Sequence, residues 1–184
     1  MRADAQRNYD RILEVARQVF AERGADASMD EIAKRAEVGP GTLYRHFPKR
    51  ENLIDAVMQS WVDRIQGAAE KAVASEQPPR ELLVSWFEDY VGHISLHKGG
   101  AAKITAALGN PESPISHKCQ VLTEANRQVI GRLVAEGALP ETVDPVQVSR
   151  LVGGVAAVAD SGDLDAAAVR PMLEVVADGL LLQH

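Results

Sequence analysis

The chain has 184 residues, of which 46% are hydrophobic and 25% charged, and its formal net charge is −6. That length suits one domain or a small domain fused to a larger one, and that balance describes a folded chain, not a disordered one. No run approaches the ~18 apolar residues of a membrane span, Asp4, Asp10, Glu14 and Arg17 interrupt any secretory apolar core, and the single Cys119 excludes an intrachain disulfide, which points to a reducing cytoplasm.

Tyr9, Ile12, Leu13, Ala16, Val19 and Phe20 recur at three- and four-residue steps. This predicts a first helix with one apolar face, and Gly24 is its expected C′ glycine. Ser28-Met29-Asp30-Glu31 has the capping-box pattern that starts another helix. That second helix is expected over about 29–36, with Met29, Ile32, Ala33 and Ala36 inward. Val38-Gly39-Pro40 is a tight connection into a third helix, whose inward pair is Leu43 and Phe47 at i,i+4. Two short helices so joined read as helix-turn-helix, the second being the recognition helix. Pro48 blocks continuation, and a long fourth helix is expected from about Lys49. Glu51 and Asp55 sit at the end of its macrodipole that favours negative charge, and Leu53, Ile54, Val57, Met58, Trp61 and Ile65 form its buried stripe.

Pro78-Pro79 breaks the chain before a fifth helix over about 80–98, with Leu82, Leu83, Trp86, Phe87, Tyr90, Val91 and Ile94 inward. A short sixth helix near 101–108 stops at Gly109-Asn110-Pro111, and a seventh spans about 115–136. Asp144-Pro145 combines an N-cap with Pro at N1 and starts the eighth. The last ends near 182, and Pro171 either kinks it or marks its start. No strand alternation of useful length occurs, so the fold class is all-α, with about nine helices.

Residues 1–50 carry +2 and residues 51–184 carry −8. This asymmetry hints at a basic-leaning nucleic-acid end. An excess so small implies few phosphate contacts per chain, so affinity would need a dimer and some base reading.

Residues 9–55 resemble the N-terminal domain of the TetR family of transcriptional repressors. The resemblance lies in the helix SMDEIAKRA at 28–36, in the turn and helix GPGTLYRHF at 39–47, and in Glu51, Leu53 and Ile54 beyond them. It implies a three-helix DNA-binding domain at 1–50 and a helical ligand-binding and dimerisation bundle at 51–184. It implies a cytoplasmic, sequence-specific transcriptional regulator, neither an enzyme nor a membrane protein, with no cofactor and no metal. Its partners would be a second copy of the chain, a near-palindromic double-stranded DNA operator and an unidentified small-molecule inducer that releases it. Within the motif, Ser28 caps a helix whose amides can receive a phosphate. Gly41 admits close backbone approach, and Pro40 can contact a thymine methyl. Thr42 and Tyr44 offer hydroxyls to phosphates, while Arg45 and His46 can reach base edges or phosphates. Tyr44 could instead cover its own core, and Arg45 could be a solvated surface residue. Lys49 and Arg50 are placed to clamp a phosphate. The family usually has a small capping residue followed by Lys there, so the cap is lost and either residue can make the contact.

By the same resemblance, Leu151, Val155 and Val158 of helix eight and Leu173, Val176 and Leu180 of helix nine would form an isologous dimer interface, unless these helices only pack against their own chain. Gly153-Gly154 within helix eight suggests close helix packing. Trp61, Trp86, Phe87, Tyr90 and His93 could line the ligand pocket, or be plain core. His93 and His97, at i,i+4, could bind a metal with His117 and Cys119, which leaves a small helical metal-binding protein or enzyme using His93, His97 and Cys119 as the alternative function. No P-loop, GxSxG, dinucleotide fingerprint or CxxC accompanies them.

Overall fold

The computed structural model describes residues 2–23, 27–95, 99–108, 110–113 and 115–182, and among them every regular element is a helix. In chain order these are α1 (Arg2–Arg23), α2 (Met29–Arg35), α3 (Pro40–His46), α4 (Arg50–Val73), α5 (Pro79–Ile94), α6 (Gly100–Ala107), α7 (Ser116–Ala135), α8 (Pro145–Ser161) and α9 (Ala166–Leu180). The expected C′ glycine, Gly24, and the predicted end of helix five at 96–98 lie outside the described residues.

The chain forms two compact units, Met1–Asp63 and Arg64–His184. The first is therefore longer than the 1–50 expected, because the leading turns of α4 belong to its core. Ile12, Ala16 and Val19 of α1 cluster with Ile32 and Ala33 of α2, Leu43 of α3, Phe47 and Leu53, and Ala56 and Val57 pack against them. The first three helices, two of them only seven residues long, bury too little apolar surface to stand alone, and α4 supplies the cover.

In the second unit α5 contacts α8 and α9, α7 contacts α8, and α8 contacts α9. The buried faces carry Leu82, Leu83, Trp86 and Phe87 of α5, Leu122, Val129 and Leu133 of α7, Val152 and Ala156 of α8, and Leu173 and Ala177 of α9. The caps are explicit. Asp144 accepts a hydrogen bond from Val146 N at 2.8 Å, with Pro145 at the first helical position. Asp165 accepts from Ala168 N at 2.9 Å and starts α9. Pro171 thus lies inside α9 and is not its start. Arg132 Nη1 donates to the Ala72 and Val73 carbonyls at 2.8 and 2.9 Å, satisfying the last turn of α4 with a cation.

Candidate nucleic-acid interface

The turn between α2 and α3 is closed by backbone bonds from Glu37 N to Lys34 O (3.2 Å) and from Val38 N to Ala33 O (3.0 Å). This is the Schellman pattern, and it holds Glu37 in the left-handed region at φ 52°. Gly39 then caps α3 with an extended backbone, and Pro40 opens the helix. The seven-residue helix has one inward residue, Leu43, followed at its C-cap by Phe47; both are buried. Tyr9 of α1 stacks on Phe47, with ring centroids 5.2 Å apart and planes at 28°. The His46 ring meets Tyr9 edge-on at 5.9 Å. Two anchors and an aromatic lid therefore fix which side of α3 faces out.

The outer side carries Pro40, Gly41, Tyr44 and Arg45, all exposed, with Thr42 half-exposed. Tyr44 is 45% exposed, which sets aside the reading of Tyr44 as cover for its own core. A Cβ built on Gly41 meets nothing within 4 Å, so that backbone lies open to approach. His46 is half-buried against Tyr9, so its ring serves packing as well as any contact outside. Tyr9 appears in the sequence only as one member of an apolar face; its role in seating α3 comes from a contact between α1 and α3 that no spacing rule reports.

The start of α4 separates Lys49 from Arg50. Arg50 Nη1 donates to the Ala27 carbonyl ahead of α2, and the residue is half-buried. Lys49 is exposed and has no ion-pair partner among the described residues. Lys49 cannot cap with its own side chain, but Asn52 Oδ1 accepts from Lys49 N at 3.1 Å, which keeps the reciprocal half of a capping box.

The capping box expected at Ser28–Glu31 does not form. Ser28 has extended N-cap geometry without a side-chain cap bond. Glu31 instead pairs with Arg23 at 2.7 Å and Arg35 at 3.0 Å. Arg35 also pairs with Glu22 of α1 at 2.7 Å, and that hydrogen bond raises its pKa above the ordinary arginine value. Two cations were a stronger attraction for Glu31 than one backbone amide. Much of the unit's basic charge is thus held in internal pairs, while Lys34, Arg45 and Lys49 have no partner among the described residues.

The residues expected to line a ligand pocket are tightly packed. Trp61 is buried within the range of the first unit. In the second, Trp86, Phe87 and Tyr90 are buried core side chains, and His93 is half-buried. Three clefts of that unit have other linings: about 540 Å³ with Glu88, Asp160 and Asp163, about 390 Å³ with Cys119, Thr123 and Arg127, and about 240 Å³ with Gln66, His117 and Gln128.

On the expected dimer face, Leu151 and Val158 are exposed, and Val155, Val176 and Leu180 half-buried. Leu173 is a correction: at 0% exposure it belongs to the chain's own core and has nothing to offer a partner. Val175, a large apolar residue of α9, is 73% exposed and points out.

For the metal reading, His97 lies outside the described residues. Among the described residues no three His, Cys, Asp or Glu side chains gather at one point, and the Cys119 thiol rests on the Ile104 carbonyl at 3.7 Å. No described helix is long and apolar enough to cross a membrane.

Residues 12–57 match the family described as bacterial regulatory proteins, tetR family. Residues 78–182 match the transcriptional regulator SbtR-like C-terminal domain. The HTH-type transcriptional regulator UidR of Escherichia coli (strain K12) is 30% identical over 164 residues, covering 83% of this chain and 79% of that protein. Among solved structures, a TetR transcriptional regulator from Streptomyces coelicolor is 30% identical with a TM-score of 0.73, covering 95% of this chain and 99% of the other. A TetR transcription regulatory protein from Mycobacterium vanbaalenii is also 30% identical, with a TM-score of 0.67 and coverage of 98% and 99%.

Proposed function

This chain belongs to the TetR family of bacterial regulatory proteins, which makes it a DNA-binding transcriptional regulator, and on that premise we propose that it is a cytoplasmic homodimeric repressor released from its operator by a small molecule. The observation that carries the DNA reading is the division of α3, with Leu43 and Phe47 buried and Pro40, Gly41, Tyr44 and Arg45 outward. Tyr44 and Thr42 address phosphates, Arg45 reaches base edges, and Lys49 holds a phosphate at the start of α4. Few unpaired cations per chain make two copies necessary for useful affinity.

The dimer face we propose is the exposed apolar strip of Leu151 and Val158 on α8 with Val175 on α9, flanked by Val155, Val176 and Leu180. A two-fold pair would place recognition helices one or more helical turns apart, about 34–36 Å per turn, and so would read a near-palindrome. An effector bound in the second unit would favour a conformation that binds DNA poorly, by its differential affinity for the two states.

Selection from a pool of random duplex DNA tests this reading. The expected product is an inverted repeat that the protein binds specifically, more weakly as salt rises. A pool with no enriched sequence, or binding equal for selected and scrambled duplexes, would overturn it.

A further inference from the structure

Tyr9 of α1 uses its ring within the chain but not its hydroxyl. The ring is held on two sides: it stacks on Phe47 with centroids 5.2 Å apart, and the His46 ring meets it edge-on at 5.9 Å. The residue is half-buried and packs against the cluster that holds Ile12, Leu43 and Leu53. Its hydroxyl has no hydrogen-bond partner among the described residues and is not one of their buried polar atoms, so it opens to water.

The polar side chains around it are engaged. Arg7 pairs with Asp4, and Gln6 donates to Asp10 at 2.9 Å. Arg11 donates to Asn8 at 3.0 Å and lies 3.7 Å from Glu37. Between Asp4 and Arg11, Tyr9 is therefore the polar side chain with an unused donor. Asp10, its acidic neighbour in sequence, projects about 100° away around the helix.

The ring contacts also fix where that hydroxyl stands. His46 is the last residue of α3 and Phe47 its C-cap, and Lys49, two residues beyond, is exposed. A helix C-terminus carries the negative end of the macrodipole and offers carbonyls in place of free amides. A phosphate passing this end of α3 must then be met by side-chain donors. Lys49 supplies a charge and His46 a ring N–H, and Tyr9 brings a third donor from another helix.

We propose that Tyr9 is a further DNA-contacting residue, whose hydroxyl donates a hydrogen bond to a backbone phosphate at the C-terminal end of α3. The proposal rests on the reading of α3 as the recognition helix. An ionised phosphate oxygen only accepts, and the phenol O–H is matched to it. Phe47 and His46 already hold the ring, so little side-chain freedom is lost on contact. Phosphate contacts carry no sequence information directly, so the hydroxyl adds affinity to every duplex alike, while the ring that seats α3 serves discrimination.

The test compares Tyr9→Phe and Tyr9→Leu with the unaltered full-length chain, by fluorescence anisotropy on the selected inverted repeat and on a scrambled duplex. Tyr9→Phe keeps the stacked ring and removes the hydroxyl. It should melt with the unaltered chain and bind both duplexes about threefold to tenfold more weakly per protomer. Its slope of log affinity against log salt should not change, because a neutral donor releases no counterion. Tyr9→Leu also loses the ring, so it should lose more on the repeat than on the scrambled duplex. Repeats that each carry one methylphosphonate locate the contact: one position that costs the unaltered chain affinity should cost Tyr9→Phe less. Unchanged affinity in Tyr9→Phe, a loss confined to the repeat, Tyr9→Leu indistinguishable from Tyr9→Phe, or one methylphosphonate profile for both proteins would overturn the proposal. Any of these alongside specific binding by the unaltered chain leaves α3 as the recognition helix. An unaltered chain that binds repeat and scrambled duplexes equally would sink that reading itself.

Discussion

A Cβ built on Gly153 of α8 would overlap the hydroxyl of Thr105 on α6 and stand 3.2 Å from its Cβ and Cγ2. Thr105 cannot easily give way, since its hydroxyl donates to the Ala101 carbonyl at 2.7 Å within α6. The adjacent Gly154 meets nothing within 4 Å. Of the two neighbouring glycines, one is there for close approach. Gly153→Ala should therefore destabilise the chain by about 1–3 kcal/mol through overpacking. Gly154→Ala should leave stability unchanged or raise it by up to about 1 kcal/mol through helix propensity. Urea unfolding of the two variants checks the contrast, and equal effects would mean that α6 and α8 do not pack as described.

Lys49 and Arg50 should separate in the same way. Lys49→Met should weaken operator binding and lower the slope of log affinity against log salt by about one per protomer, with stability unchanged. Arg50→Met should lower the stability of the first unit, because it strips the Ala27 carbonyl of its donor. Fluorescence anisotropy at several salt concentrations, paired with thermal melts, measures both. An unchanged salt slope in Lys49→Met would remove it from the DNA contacts.

Glu37 and Gly137 close α2 and α7 by the same bonds, for Gly137 N donates to Val134 O at 2.9 Å and Ala138 N to Leu133 O at 2.9 Å. Both residues have positive φ, at 52° and 72°. A side chain there costs about 1–2 kcal/mol, while glycine gives back about 0.5–1 kcal/mol in chain entropy. Glu37 gains little from its exposed pairing with Arg11 at 3.7 Å. Glu37→Gly should stabilise the chain by about 0.5–1 kcal/mol net of that entropy. A lower unfolding midpoint in the glycine variant would contradict this.

Burial holds the His93 imidazole below its ordinary value of 6.5; Asp89 opposes the shift and Arg64 adds to it. The unfolded chain then takes up a proton at a higher pH than the folded one. The contribution of His93 to stability is complete above 6.5 and is lost as pH falls from there toward the lower folded value. His93→Gln should lose less thermal stability than the unaltered chain between about pH 7.5 and about pH 5.5. Parallel melting curves over that range would show that His93 titrates as it does in the unfolded state.

Local patterns in the chain determined a good deal. The 3.6-residue recurrence of Ile12, Ala16 and Val19, the Asp144-Pro145 start and the GPGTLYRHF stretch specify helices, caps and a recognition segment, because each depends on residues within a turn or two of one another. Tertiary structure decided what local spacing leaves degenerate. Ser28-Met29-Asp30-Glu31 has a capping-box spelling, but Arg23 captures Glu31 from a position that the packing of α1 against α2 brings near, beside Arg35 one turn along α2. Lys49 and Arg50 are interchangeable as neighbouring cations until the Ala27 carbonyl claims one of them. Leu173 and Val175 are both apolar residues of α9, yet the core takes Leu173 and leaves Val175 to solvent. The hydroxyl of Tyr90 reads as one more tip on an apolar stripe until the surrounding helices close over it without a partner. In each case the energy is set by groups distant in sequence, and so it could be read only once the chain had folded.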